Sequence, residues 1–136
     1  MIRALAIVLV LASCGSKPPA EPAAAPTQKQ TLPPELEKFH AVLEPHWEAT
    51  PGPQRMKDSC AALPDFHADA DEIAKATPPV AANADTWTTA TKQLVDAVAD
   101  LDAACQTIDP AQFDAALAKV HDAFHALMTA AGATKM

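Results

Sequence analysis

The fold is decided by residues 85–131, DTWTTATKQLVDAVADLDAACQTIDPAQFDAALAKVHDAFHALMTAA. Apolar side chains recur along this stretch at alternating steps of three and four residues, which is typical of helices with one buried face. The first half contributes Trp87, Thr91, Leu94, Val98, Leu101, Cys105 and Ile108, and the second contributes Phe113, Leu117, Val120, Phe124, Leu127 and Ala131. The spacing predicts helices over 85–108 and 110–131, the first capped by Asp85 and the second begun by Asp109-Pro110.

Two further helices are predicted upstream, each interrupted by a proline. One stripe predicts a helix over 34–49 with Pro45 inside it, and another predicts a helix over 53–77 with a bend at Pro64, since an interior proline removes a backbone hydrogen bond. The apolar positions are Leu36, Phe39, Leu43 and Trp47 in the first, and Met56, Cys60, Leu63, His67 and Ala70 in the second. Short proline-containing connections make neighbouring helices antiparallel. We therefore predict an all-α domain over 34–132, an up-down-up-down antiparallel four-helix bundle.

The N-terminus has the pattern of a targeting signal. Arg3 precedes a short apolar run that ends in LASC, residues 11–14. A positive charge, an apolar segment of about ten residues and small residues before the cut are typical of a secretory signal, and the run is too short to span a bilayer. The cysteine after the small residues resembles a bacterial lipoprotein signal, with residues 1–13 removed and Cys14 lipidated. An ordinary signal, with Cys14 lost, is the alternative.

The same resemblance predicts the cellular location of the protein. Inner-membrane lipoproteins often have Asp after the lipidated cysteine, whereas this chain has Gly15. We therefore expect an outer-membrane lipoprotein that faces the periplasm and is held to the membrane by its lipid. Residues 14–33 are rich in proline and alanine, a composition that favours a disordered, extended tether.

Composition limits the partners. The chain carries a net charge of −7, and removal of Arg3 with the signal makes it one unit more negative. Nucleic acid requires clustered basic residues, so it is not expected as a partner. Another protein of the cell envelope suits an acidic, tethered domain better.

Cys60 and Cys105 are predicted to form a disulfide. They lie at similar distances before and after the connection near residues 78–84, so an antiparallel helix pair places them at similar height. The periplasm is oxidising and permits the bond. A thiolate metal site is the alternative, but it requires more soft ligands nearby.

Five histidines supply the candidate metal ligands. His121 and His125 are four residues apart, a spacing that lets two imidazoles reach one divalent ion. His67 is a further candidate, and Met128 could add a thioether, which would favour copper. The alternative for the pair is a polar flank of an amphipathic helix. His40 and His67 are predicted to face inward among apolar neighbours.

The bundle resembles the periplasmic cytochrome b562 and cytochrome c-prime superfamily. The resemblance rests on LEKFHAVL (residues 36–43), KATPP (75–79) and VHDAFHAL (120–127). By position it implies His40 and His125 as axial ligands of haem b, where the b-type family has methionine and histidine. No Cys-x-x-Cys-His occurs, so covalent haem attachment is excluded.

Three functions remain open: a binding or interaction module of unknown ligand, a haem-b electron carrier, and a copper, zinc or nickel binding or sensing protein. An enzyme is not expected, because the sequence has no activated nucleophile pattern, no glycine-rich phosphate loop and no paired inward carboxylates. The acidic cluster of Asp69, Asp71 and Glu72 is predicted to be a solvated helix face.

Overall fold

The computed structural model describes residues 32–133, and this part of the chain is all-helical. Its elements are α1 (Pro34–Glu48), α2 (Pro53–Ala61), α3 (Leu63–Lys75), α4 (Ala84–Thr107) and α5 (Pro110–Ala130). The predicted all-α class is therefore confirmed. Residues 1–13, Cys14 and the tether up to Thr31 lie outside the described residues.

The predicted second helix is two helices. Ala62 separates α2 from α3, and Pro64 lies in the first turn of α3. Proline is tolerated there because the first-turn N–H groups have no partner within the helix. Pro45, in contrast, leaves α1 continuous, so only one of the two interior prolines divides a helix.

The helix starts of α4 and α5 show which side chains act as caps. The Asp109 side chain accepts hydrogen bonds from the backbone N–H groups of Ala111 and Gln112, which confirms the predicted start of α5. At α4 the prediction was wrong, because Asn83 rather than Asp85 is the cap and accepts from the N–H of Asp85. A capping side chain belongs to the residue just before the first turn, and Asp85 is already inside it.

One apolar core lies between α1, α3, α4 and α5. α1 packs against α3 and α5, and α4 packs against the same two helices. The rings at its centre belong to Phe39, Phe66 and Phe124; Phe39 stacks on Phe124 at 5.3 Å and meets Phe66 edge-on at 5.7 Å. Aromatic pairs at these distances contribute beyond the apolar area that they bury.

A disulfide and an ion pair join the helices around this core. The Cys60 and Cys105 sulfur atoms lie 2.03 Å apart, so the structure joins the predicted pair as a disulfide between α2 and α4. Arg55 of α2, whose side chain is 10% exposed, binds Asp114 of α5 at 2.6 Å. These two links hold the short helix α2 against the long pair α4 and α5.

The predicted solvated face of α3 is only partly correct. Asp69 is 4% exposed, and its carboxylate lies 3.0 Å from Lys38 Nζ on α1. The same ammonium reaches Glu72 at 2.9 Å. The hydrogen bond to Glu72 above all, and then the one to Asp69, raise the pKa of Lys38. Asp69 is therefore part of the α1–α3 contact.

Candidate functional site

An open cleft lies between the C-terminal half of α1 and the C-terminal half of α5. Its volume is about 180 Å³. It combines aromatic, imidazole and carboxylate side chains: His40, Leu43, Glu44, Trp47, Glu48, His121, Phe124 and His125. Three of the predicted candidate ligands, His40, His121 and His125, therefore line one site.

His121 and His125 converge on each other. Their Nε2 atoms lie 3.0 Å apart, and the two rings meet edge-on with centroids 4.4 Å apart. The predicted i, i+4 spacing therefore directs both Nε2 atoms to one point. At this distance one ring donates a hydrogen bond and the other accepts it.

Trp47 covers one face of His121. The two rings are nearly parallel, at 12°, with centroids 3.9 Å apart. Trp47 is nevertheless 38% exposed, so its other parts face solvent. The predicted burial of Trp47 at the end of the α1 stripe is wrong: the stripe is buried at Leu36, Phe39 and Leu43, and Trp47 lies at the rim of the cleft.

The second nitrogen of His121 has a distinct environment. Nδ1 is buried and makes no hydrogen bond, and the His121 side chain as a whole is 23% exposed. Oδ1 of Asp122 lies 3.5 Å from it, which is an ion-pair distance but not a hydrogen bond. The negative charge of Asp122 favours the tautomer in which Nδ1 has the proton. Nε2 is then left with a lone pair directed at His125.

His40 forms the opposite wall of the cleft. Its ring stacks on Phe124 at 5.7 Å, and its Nδ1 lies 4.0 Å from a carboxylate oxygen of Glu44. Its side chain is half-buried, so the inward prediction holds only in part. Glu44 and Glu48 add negative charge to the same wall.

The remaining predicted ligands lie elsewhere. His67 is exposed on α3, and its Nε2 lies 3.5 Å from Asp102 of α4. The predicted inward orientation of His67 is therefore wrong, because the break at Ala62 changes the helical phase between α2 and α3. Met128 packs against the apolar core and does not line the cleft. Within residues 32–133, no three or more His, Cys, Asp or Glu side chains are grouped to hold a metal ion.

The cleft does not fit haem. Pockets that bury drug-sized ligands enclose about 300–1,000 Å³, and a porphyrin is at least as large as such ligands. This cleft holds about 180 Å³, and Phe124, buried in the core, already occupies the face of His40. The Nε2 of His125 is in contact with His121. His40 and His125 share a site, but the space between them does not admit the ring.

A larger groove runs along α4 and α5, with a volume of about 380 Å³. Its lining includes the alanines Ala97 and Ala123, and Lys119 of α5 pairs with Asp100 of α4 at 3.0 Å across the groove. No set of polar side chains converges there. The smaller α1/α5 cleft therefore has the richer chemistry.

No protein family, curated protein or solved structure matches this chain. None of the helices between residues 32 and 133 combines the length and hydropathy that a membrane span requires.

Sequence reasoning missed Trp47, Glu44, Glu48 and Phe124 as parts of this site. Helical spacing predicts that Phe124 and Trp47 belong to the core, and the two glutamates have no distinguishing pattern. A weak signal existed in α1, where Glu44 and Glu48 are four residues apart and thus share a face with His40. Which face of α5 they meet depends on helix packing, which the spacing does not give.

Proposed function

We propose that this protein is an outer-membrane lipoprotein that binds a ligand in the α1/α5 cleft and is not an enzyme. In this proposal Cys14 is the lipidated N-terminus and residues 14–33 are the tether. The helical domain is an up-down-up-down antiparallel four-helix bundle in which α2 and α3 together form the second helix. Short connections between helices support the antiparallel order.

The observation that favours binding is the convergence of Trp47, His121 and His125 at an open cleft. α1 and α5 are separated by most of the domain in sequence, yet they bring a stacked indole–imidazole pair and a second imidazole to one point. Small-molecule sites are concave, with aromatic walls and a few convergent polar groups. The cleft has this composition, although it is small.

The length of the tether sets how far from the membrane the domain can bind its ligand. An extended chain of residues 14–33 reaches roughly 60 Å at about 3 Å per residue. The domain could thus sample the periplasm near the membrane while its lipid stays inserted. Several acyl chains at one cysteine make such an anchor stable, because each buried methylene contributes about 0.8 kcal/mol.

The anchor is tested by fractionation and labelling. Wild type expressed in a Gram-negative host should incorporate a palmitate analogue and sediment with outer membranes. A Cys14→Ala variant should do neither. Equal labelling of the two proteins, or no labelling of either, would exclude lipidation at Cys14.

The cleft is tested on protein purified from its native host. Native mass spectrometry and elemental analysis of wild type should show a bound species, and its colour and absorption spectrum would reveal haem directly. The His121→Ala variant should lose the species, and the matched control His67→Ala, an exposed histidine outside the cleft, should retain it. Equal occupancy of the two variants would place the ligand elsewhere.

A further inference from the structure

We infer that His121 and His125 chelate one divalent transition-metal ion, and that the site prefers Cu²⁺ or Ni²⁺ to Zn²⁺. The inference rests on the proposed function, since it names the ligand of the same cleft. It starts from the 3.0 Å separation of the two Nε2 atoms.

This separation has a consequence for the angle at the metal. Imidazole nitrogens bind such ions at about 2.0–2.1 Å. An ion at that distance from two nitrogens 3.0 Å apart meets them at an angle of about 95°. Square-planar and tetragonal Cu²⁺ and Ni²⁺ accept neighbouring ligands near 90°, whereas Zn²⁺ in proteins is usually tetrahedral. The pair therefore matches the first two ions better.

The proton positions on His121 and His125 are also compatible with metal binding. Asp122 favours the proton on Nδ1 of His121, so Nε2 of His121 already presents its lone pair toward His125. In the metal-free pair His125 then donates from Nε2. On binding, exchange with solvent moves that proton of His125 to Nδ1, and both Nε2 lone pairs face the ion. In many metal sites a carboxylate beyond the first ligand shell accepts a hydrogen bond from the imidazole. Here Asp122 lies 3.5 Å from Nδ1 of His121 and acts through its charge.

Neighbouring side chains hold the pair in place and favour a cation. Trp47 stacks on His121 and restricts rotation of the ring, which lowers the entropy lost on binding. Glu44 and Glu48 line the opposite wall and increase the local concentration of cations. The described residues supply no closed set of three ligands, so water completes the coordination and the site is open.

The test is a Cu²⁺ titration of full-length protein in detergent, followed by tryptophan fluorescence. Copper bound to His121 lies against Trp47 and should quench its emission, whereas Trp87 is buried on α4. We expect saturation at one ion per chain. A Trp47→Phe variant should still bind one ion per chain by calorimetry, with a weaker affinity because the stack on His121 is smaller, and should show little quenching, which assigns the signal.

Histidine variants separate this site from the other histidines. Loss of a partner beyond the first ligand shell typically weakens binding 10–100-fold, so loss of a ligand should weaken it at least about tenfold. His121→Gln and His125→Gln should show this loss, and His67→Gln should bind as wild type does. Circular dichroism confirms that the variants are folded. Electron paramagnetic resonance of the copper form should show two coordinated nitrogens.

The outcomes distinguish the inference from the proposed function. Copper affinity that is the same in His121→Gln and His67→Gln would overturn the chelate. If the chelate fails while native wild type still carries a species that His121→Ala loses, the cleft binds another ligand. If native protein carries no cleft-dependent species either, both proposals fail.

Discussion

Removal of the Cys60–Cys105 disulfide is the perturbation with the most direct structural consequence. The bond joins α2 to α4 and closes a loop with a sequence separation of 45. In the chain-entropy model, release of a loop of that size destabilises the fold by roughly 4 kcal/mol at 25 °C, because the unfolded chain regains freedom. A domain of this size has a free energy of unfolding of about 5–15 kcal/mol, so the loss is a large share.

The assay is urea unfolding of full-length protein in detergent, followed by circular dichroism, on wild type and a Cys60→Ala/Cys105→Ala variant. With a urea dependence of about 2 kcal/mol per molar, the midpoint should fall by about 2 M. The melting temperature should fall by about 20 °C. Wild type in reductant should match the double variant, and the double variant should not respond to reductant. A wild-type midpoint that reductant leaves unchanged would refute the reasoning.

Three further predictions concern the core, a partly buried ion pair and pH. Phe39→Ala should lower the free energy of unfolding by about 3–5 kcal/mol, since Phe39 is fully buried and its ring contacts two others. Asp114→Asn leaves the largely buried guanidinium of Arg55 without its carboxylate and should cost about 1–2 kcal/mol, whereas Asp96→Asn, at an exposed pair, should cost less than about 0.5 kcal/mol. Burial lowers the pKa of His46 below its ordinary value of 6.5, so the unfolded chain binds the proton more readily. The His46 contribution to stability should therefore be complete above pH 6.5 and decline as the pH falls below it.

Each of these has a result that would contradict it. Chemical denaturation of Phe39→Ala with a midpoint near that of wild type would mean that the cavity is refilled. Equal losses for Asp114→Asn and Asp96→Asn would show that burial of the guanidinium does not matter. For His46, the difference in unfolding free energy between wild type and His46→Gln should change between pH 7.5 and pH 5. A difference that stays constant over this range would show that the pKa of His46 is the same in the folded and unfolded chain.

The periodic parts of the fold were accessible from sequence because helical spacing is a local property. α5 starts at the predicted residue 110 and α4 starts one residue before the predicted 85, and Asp109 caps α5 as its sequence context indicates. The division at Ala62 was less accessible, since Pro45 and Pro64 have the same local pattern and only one of them ends up at a helix start. Packing decides which proline can be accommodated within a continuous helix.

The sequence by itself determined the all-α class, the pairing of Cys60 with Cys105 and the i, i+4 relation of His121 and His125, because each follows from helical period and separation along the chain. Only the tertiary structure decided that Trp47 leaves the core to stack on His121. It also decided that His67 lies on the exposed face of α3, near Asp102, and that Asp69 is a buried partner of Lys38 and not a surface charge. These outcomes depend on how helices distant in sequence rotate and pack against each other. That rotation is set by the fit of the whole core, to which every buried side chain contributes.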